Sequence, residues 1–155
     1  MAGAGWICRN ADNQVVMAMA APIGIASVLI AETWALLLEV RMTTSQGWRN
    51  MWFETNSTTS LRLIKNLDMQ TPWIIRNMLS EIHHHLNSIQ QFKMTHIYRE
   101  ANQGADGLAN FAIEKQFQQQ GICNTFIWEN TCPTFLNEIV TSDSMGRLYP
   151  REVSI

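Results

Sequence analysis

The longest apolar stretch of the chain constrains its fold more than any other feature. Val15 to Ala31 is a run of 17 residues in which Ser27 is the only polar one. A helix that crosses a bilayer needs about 20 predominantly apolar residues. Pro22 and Gly24 interrupt the stretch, and Glu32 follows it directly. We therefore predict a buried strand followed by a buried helix, and no membrane span.

Composition indicates an ordinary folded domain. A length of 155 residues is typical of about one domain, long enough to bury a core. Only 15% of residues are charged, but nine Met, six Trp and six Phe make a disordered chain improbable. The net charge is −2, and residues 1–118 balance nine Lys and Arg against nine Asp and Glu. This charge distribution predicts no strongly basic surface for nucleic acid.

The cysteines and the N-terminus predict an intracellular, reducing compartment. The three cysteines form no CxxC pair and no paired Cys/His spacing, so a zinc site is unsupported. A disulfide framework is not expected in a chain this long and this rich in core residues. The N-terminus has neither the basic segment nor the apolar core of a signal peptide. The cysteines are Cys8, Cys123 and Cys132.

Hydrophobic periodicity predicts strands paired in a hairpin, followed by strands that alternate with helices. This pattern favours a mixed sheet with helices packed on it. The final 37 residues have scattered apolar positions and no clear period, so residues 119–155 are predicted to be an irregular tail. The predicted elements are strands at 5–9, 14–20, 51–55 and 92–98, a helix from Ser27 to about 42, a short helix capped by Ser57 or Thr58, a helix starting at Thr71-Pro72, and a helix from Asn102 to about 117.

Glu32 stands where a carboxylate needs an explanation. The residues three and four positions away on either side in the predicted helix are all apolar: Val28, Leu29, Ala35 and Leu36. A carboxylate on a core face is costly unless it is paired or binds a cation. The alternative is that Glu32 lies at the edge of the apolar stripe and reaches solvent.

Two other polar residues occupy positions of interest. Asn56 closes the strand at 51–55, and strand ends that lead into helices are where open α/β sheets place ligand groups. Asp106 lies in the first turn of the last predicted helix, between Gly104 and Gly107. Each also has an ordinary explanation, because Asn is common in turns and an acid at a helix N-terminus is favoured by the helix dipole.

The run His83-His84-His85 could suggest a metal site. Consecutive helical residues point about 100° apart, so three in a row cannot converge on one ion. We therefore predict a solvated helix face for these histidines.

Taken in order, these segments resemble type 1 ribonuclease H. The resemblance is carried by the hairpin, Ala31-Glu32 on a helix, the sequence ETNS at 54–57 and the sequence YREANQGADGLA at 98–109. It is closest to the ribonuclease-H-like domain that is abundant in plant genomes and often attached to retroelement reverse transcriptases. The resemblance covers about residues 2–118.

The resemblance implies a fold, a cofactor and a substrate. The fold is a five-stranded mixed sheet flanked by helices, with four carboxylates that bind two Mg²⁺ and hydrolyse the RNA strand of an RNA–DNA hybrid. Two cations about 3.5–4 Å apart activate the water and stabilise the leaving oxygen, and oxygen ligands suit Mg²⁺. Carried over to this chain, the catalytic positions are Glu32, Asn56 and Asp106, of which Glu32 and Asp106 are the metal ligands.

The chain departs from the family pattern at two of the four carboxylates. Asn56 stands where the pattern has Asp, and no Asp-Gly-Ser-like opening strand precedes Ala2. The resemblance therefore implies a domain at 1–118 that lacks its first strand, with a sheet that is gapped, rearranged or helped by another segment. Two hypotheses follow: a hybrid ribonuclease whose activity is impaired, or a pseudoenzyme with weak or no nucleic-acid binding. Any affinity for nucleic acid is expected to be modest and salt-sensitive.

Overall fold

A computed structural model of the chain describes residues 1–65, 71–118 and 124–144. The described residues form a mixed α/β fold, which confirms the predicted class. The strands are β1 (Ala2–Arg9), β2 (Val15–Gly24), β3 (Asn50–Thr55), β4 (Gln91–His96) and β5 (Phe126–Glu129), and the helices are α1 (Val28–Ser45), α2 (Thr58–Lys65), α3 (Trp73–Ser88), α4 (Gln103–Gln118) and α5 (Asn137–Ser144).

The elements belong to two compact units. The first unit contains Met1–Ala26 and the described residues from Arg99 onward, and the second contains Ser27–Tyr98. The strands accordingly form two sheets, one with the order β1-β2-β5 and one with the order β3-β4. Separate sheets agree with the expectation of a gapped or rearranged sheet. Among the described residues, no helix combines the length and apolar character needed to cross a membrane.

In the first unit, β1 and β2 form the predicted antiparallel hairpin. The side chain of Asn10 builds the turn, because its Oδ1 accepts the N–H groups of Asp12 at 3.1 Å and Gln14 at 2.9 Å. Asn13 completes the turn with a φ of 62°, a conformation that Asn tolerates better than most residues.

Strand β2 is longer than its sequence pattern predicts. It continues through Pro22 to Gly24, whereas these two residues were expected to interrupt the apolar stretch after a strand at 14–20. β5 pairs only with Met17–Ala20 of β2. Pro22 therefore lies beyond the end of β5. Proline has no backbone N–H to donate, and at this position no residue of β5 requires one as a hydrogen-bond partner.

Helix α4 packs closely on β1 because both surfaces carry small residues. A Cβ added at Gly5 would overlap the carbonyl oxygen of Ala105, and one at Gly3 would overlap that of Ala109. The glycines thus allow helix and strand backbones to approach directly. This packing gives the unit a buried cluster whose members come from β2, α4 and the segment before α5: Ala18, Ala20, Leu108, Ala112 and Leu136.

The expectation of an irregular tail differs from the structure of residues 124–144, which contain β5 and α5. Phe111 of α4 stacks on Phe135, with ring centroids 5.3 Å apart, and meets Phe126 edge-on at 5.2 Å. Apolar contacts therefore attach this segment to α4. The remaining tail positions, including Cys123, lie outside the described residues.

The second unit places α1, α3 and the parallel pair β3–β4 around one core. Ser27 caps α1 as predicted, because its Oγ accepts the N–H of Ile30 at 3.4 Å. On the surface, Arg41 of α1 donates to both carboxylate oxygens of Glu81 on α3, at 2.5 and 2.8 Å, and this hydrogen bonding lowers the pKa of Glu81. The buried core consists of Leu36, Leu37, Val40, Phe53, Ile64, Ile75, Leu79, Ile82, Leu86 and Ile89.

Candidate functional site

Glu32 lies on α1 in the second unit, and its half-buried carboxylate is paired. Its Oε2 accepts a hydrogen bond of 2.6 Å from the Oγ of Ser57. A hydrogen-bonded partner is one of the two conditions under which a carboxylate among apolar neighbours is tolerable. In the structure the carboxylate of Glu32 is therefore paired, and it is also partly exposed to solvent.

Ser57 is held in place by the turn between β3 and α2. Its N–H donates to Thr55 Oγ1 at 3.1 Å, and its Oγ accepts the N–H of Ser60 at 3.0 Å. The second contact is an N-cap, as the sequence predicts for the start of α2. Ser57 is 8% exposed and Ser60 is 4% exposed, and their hydroxyl oxygens are 2.9 Å apart.

Asn56 lies directly before Ser57 at the carboxyl end of β3 and is half-buried. The carbonyl of Thr55 accepts the N–H of Ile97 at 2.9 Å, so the ends of the two parallel strands are fixed to one another. The bond from Ser57 to Glu32 thus joins the ETNS segment to the helix carboxylate. The structure brings together two of the three predicted segments at this strand end.

Asp106 belongs to the first unit and lies in the opening turns of α4. Its Oδ2 accepts a hydrogen bond of 2.8 Å from Nε of Arg99, a residue whose side chain is 77% exposed. This hydrogen bond raises the pKa of the Arg99 guanidinium. Asp106 also satisfies the dipole of α4, so its role as a metal ligand stays a prediction.

The residues present do not fit the two-magnesium site that the resemblance implies. Glu32 and Asp106 are carboxylates that each share one oxygen with a protein donor, and Asn56 offers a neutral amide. Mg²⁺ prefers carboxylate oxygens, so an amide at one ligand position lowers the negative charge available to two divalent cations. Within the described ranges, no group of three or more His, Cys, Asp or Glu side chains could hold a metal ion.

The histidine run is not the uniformly solvated face that the sequence predicts. Only His84 is exposed, whereas His83 and His85 are half-buried. Nδ1 of His85 lies 2.9 Å from Oγ1 of Thr44, and its Nε2 lies 3.6 Å from the Glu81 carboxylate. This histidine therefore contributes to the contact between α1 and α3.

Sequence reasoning missed two residues, one that contacts a predicted carboxylate and one that contacts the partner of the other. Ser60 is part of the hydroxyl pair beside Glu32, and Arg99 pairs with Asp106. An N-cap serine accepts the N–H of the second or third helical residue, so the cap predicted at Ser57 could have indicated Ser60. Arg99 lies in the segment 98–109 that carries the resemblance, but its spacing to Asp106 gives no signal of the ion pair.

The fold and the comparisons with solved structures define a ribonuclease-H-like domain. Ribonuclease H1 from Halobacterium salinarum NRC-1 is similar over 73% of this chain and 86% of its own, with a TM-score of 0.69 and 22% identity. The N-terminal ribonuclease H domain of a Mycobacterium tuberculosis protein, solved as a fusion with maltose-binding protein, covers 76% and 86%, with a TM-score of 0.69 and 18% identity. LC11 ribonuclease H1 in complex with an RNA/DNA hybrid covers 74% and 87%, with a TM-score of 0.67 and 22% identity.

A family model places the chain more narrowly. The model of the reverse transcriptase-like family matches residues 1–112, and the chain belongs to this family. A comparison with curated proteins finds no match. The matched range includes β1 through most of α4, and with them Glu32, Asn56 and Asp106.

Proposed function

We propose that this chain is a nucleic-acid-binding domain of the ribonuclease H type whose ability to hydrolyse RNA in RNA–DNA hybrids is impaired. The observation that carries the proposal is the position of Asn56. It directly precedes Ser57, which donates to Glu32, so it occupies the strand end where the resemblance assigns an Asp. The scaffold of the family is present around a ligand position that carries no charge.

The chemistry explains why an amide at this position impairs cleavage. A phosphodiester is negatively charged, and its hydrolysis builds further charge on the attacking and leaving oxygens. In the family, Mg²⁺ would stabilise that charge when it is bound. Replacing a carboxylate by an amide removes one negative charge from the ligands, and carboxylate charge is what holds hard cations in place.

Nucleic-acid binding is supported by family membership and by the likeness to a hybrid-bound structure. The family match covers residues 1–112, and the LC11 protein is bound to an RNA/DNA hybrid in its crystal. The balanced charge of residues 1–118 limits how strongly phosphates are attracted. We therefore expect modest affinity for hybrids.

A catalytically dead remnant with weak or no binding is the second candidate. The observation that favours it is the same charge balance, nine basic against nine acidic residues, because non-specific affinity for nucleic acid comes mainly from Lys and Arg contacts to phosphates.

The two candidates are separated by measuring binding and cleavage on one substrate. Fluorescence anisotropy of a labelled RNA–DNA hybrid reports binding, and denaturing electrophoresis of the labelled RNA strand in Mg²⁺ reports cleavage. We expect binding without cleavage from the unmodified chain. Cleavage would refute the impairment, and absence of binding to the hybrid would favour the remnant.

A charge-restoring variant tests the assigned cause. Asn56→Asp combined with an added N-terminal strand that carries an Asp is expected to cleave the hybrid. The same strand added to the chain with Asn56 unchanged is the matched control and should stay inactive. Equal activity of the two proteins would show that the amide at position 56 is not the cause.

A further inference from the structure

The hydrogen bonds around Glu32 indicate which group the Ser57 hydroxyl donates to. The oxygen of Ser57 accepts the backbone N–H of Ser60 at 3.0 Å. A hydroxyl has one proton to donate and two lone pairs. Because the distance from Ser57 Oγ to Glu32 Oε2 is 2.6 Å, typical of a hydroxyl donating to a carboxylate, that proton goes to Glu32. The hydroxyl oxygen of Ser60 lies 2.9 Å away, as a second and more distant acceptor within reach of the same Ser57 hydroxyl.

This arrangement connects three elements through one carboxylate. Glu32 lies on α1, Ser57 ends the turn after β3, and Ser60 lies in the first turn of α2. Both serines are buried, so neither hydroxyl can exchange its protein partner for water at low cost. Removing the carboxylate would take away the closer and charged acceptor of the Ser57 hydroxyl, at 2.6 Å, and leave it only Ser60 Oγ at 2.9 Å.

We propose that Glu32 is a structural acceptor that fastens α1 to the N-terminus of α2, and that it does so without any cation. The inference rests on the proposed function, in which the set of metal ligands is incomplete. It gives Glu32, the carboxylate on α1, a structural role in that site.

The sign of a stability change separates a structural acceptor from a cation ligand. A carboxylate whose role is to bind a cation lacks a partner for its charge when the cation is absent. Its removal therefore leaves the stability of the folded chain unchanged or raises it. A carboxylate that accepts a buried hydroxyl stabilises the fold, so its removal lowers stability. Alanine has the highest helix propensity, so a loss on Glu32→Ala cannot come from the helix itself.

The experiment is thermal unfolding of the full chain in EDTA, followed by circular dichroism. Loss of a hydrogen bond to a charged group should lower Tm by roughly 3–8 °C in Glu32→Ala. Glu32→Gln keeps an acceptor oxygen and should lose less. Glu54→Ala, which removes an exposed carboxylate from β3, is the matched control and should leave Tm nearly unchanged. A Tm of Glu32→Ala equal to or above that of the unmodified chain would overturn the proposal.

A double variant tests the contact itself. If Ser57 and Glu32 act through one bond, the loss in Ser57→Ala with Glu32→Ala is smaller than the sum of the two single losses. Additive losses would overturn the proposal, as would a rise of Tm in Mg²⁺ that Glu32→Gln abolishes. Neither readout involves nucleic acid. A chain that passes these tests but binds no hybrid therefore refutes the proposed function and leaves the inference intact.

Discussion

At the scale of single residues, Glu39 of α1 makes stability depend on pH. Burial raises the pKa of its carboxyl from 4.5 to about 8, and no hydrogen bond to this carboxyl is found among the described residues. Between these values the folded chain holds a proton that the unfolded chain has lost, so stability falls as pH rises from about 4.5 to 8. Glu39→Gln removes this titration and should raise the free energy of unfolding at pH 8 by about 1–3 kcal/mol.

Urea unfolding at several pH values measures this effect. The gain in Glu39→Gln should disappear near pH 5, where the carboxyl is protonated in the folded chain. Glu54→Gln, on the exposed side of β3, serves as the control and should show no such dependence. The same gain for Glu39→Gln at both pH values would contradict the assignment.

The sequence predicts which residues need an explanation better than it predicts their partners. The apolar neighbours of Glu32 left two alternatives, a carboxylate that is paired or binds a cation and one that reaches solvent; the structure shows it half-buried and paired. The donor is Ser57, 25 positions along the chain, and only tertiary structure brings it there. The sequence analysis did not identify Glu39 at all, because nothing in its spacing distinguishes a half-buried acid from a solvated one.

At the scale of elements, the contact of β1 with α4 depends on the absence of a side chain at Gly5. A Cβ there would lie 2.6 Å from the backbone nitrogen of Ala109 as well as against the carbonyl of Ala105. Backbone atoms cannot move aside as a flexible side chain can. Gly5→Ala should therefore cost about 1–3 kcal/mol of stability, the usual range for overpacking, measured by urea unfolding.

Gly107→Ala is the matched control for this prediction. A Cβ at Gly107 would meet the Cδ2 atom of Leu136 at 2.9 Å, at the far end of a flexible side chain. Alanine also improves helix propensity, which offsets the small rearrangement. We expect little net change, so equal losses in the two variants would show that the proposed backbone overlap is not the cause.

The elements up to α4 were predictable from hydrophobic patterns and capping signals, and β5 and α5 were not. The hairpin, α1 and α4 follow their patterns closely. β5 has four residues and α5 has eight, and neither shows a clear hydrophobic period in the sequence. Their positions depend on aromatic contacts such as Phe111 with Phe135, which connect distant parts of the sequence. The end of β2 was missed because Pro22 is a turn signal unless a neighbouring strand stops short of it.

At the scale of the whole molecule, the order of elements and the spacing of a few polar residues were sufficient to predict the fold class. The family match over residues 1–112 confirms that interpretation. The division of the strands into two sheets could be anticipated only as a gap or a rearrangement, because strand pairing is a long-range property. The net charge of −2 is a property of the whole chain, and it determines what kind of binding can be expected.

The salt dependence of hybrid binding is the prediction that belongs to this scale. Each phosphate contact contributes a slope of about −0.9 to a plot of log affinity against log salt concentration. With nine basic residues balanced by nine acidic ones in residues 1–118, we expect few such contacts and a slope of about −2 to −3. Between about 50 and 200 mM salt the affinity should then fall about 15- to 60-fold, measured by anisotropy. A slope steeper than about −5 would show that the fold concentrates its basic residues on one surface, contrary to the balanced charge of the sequence.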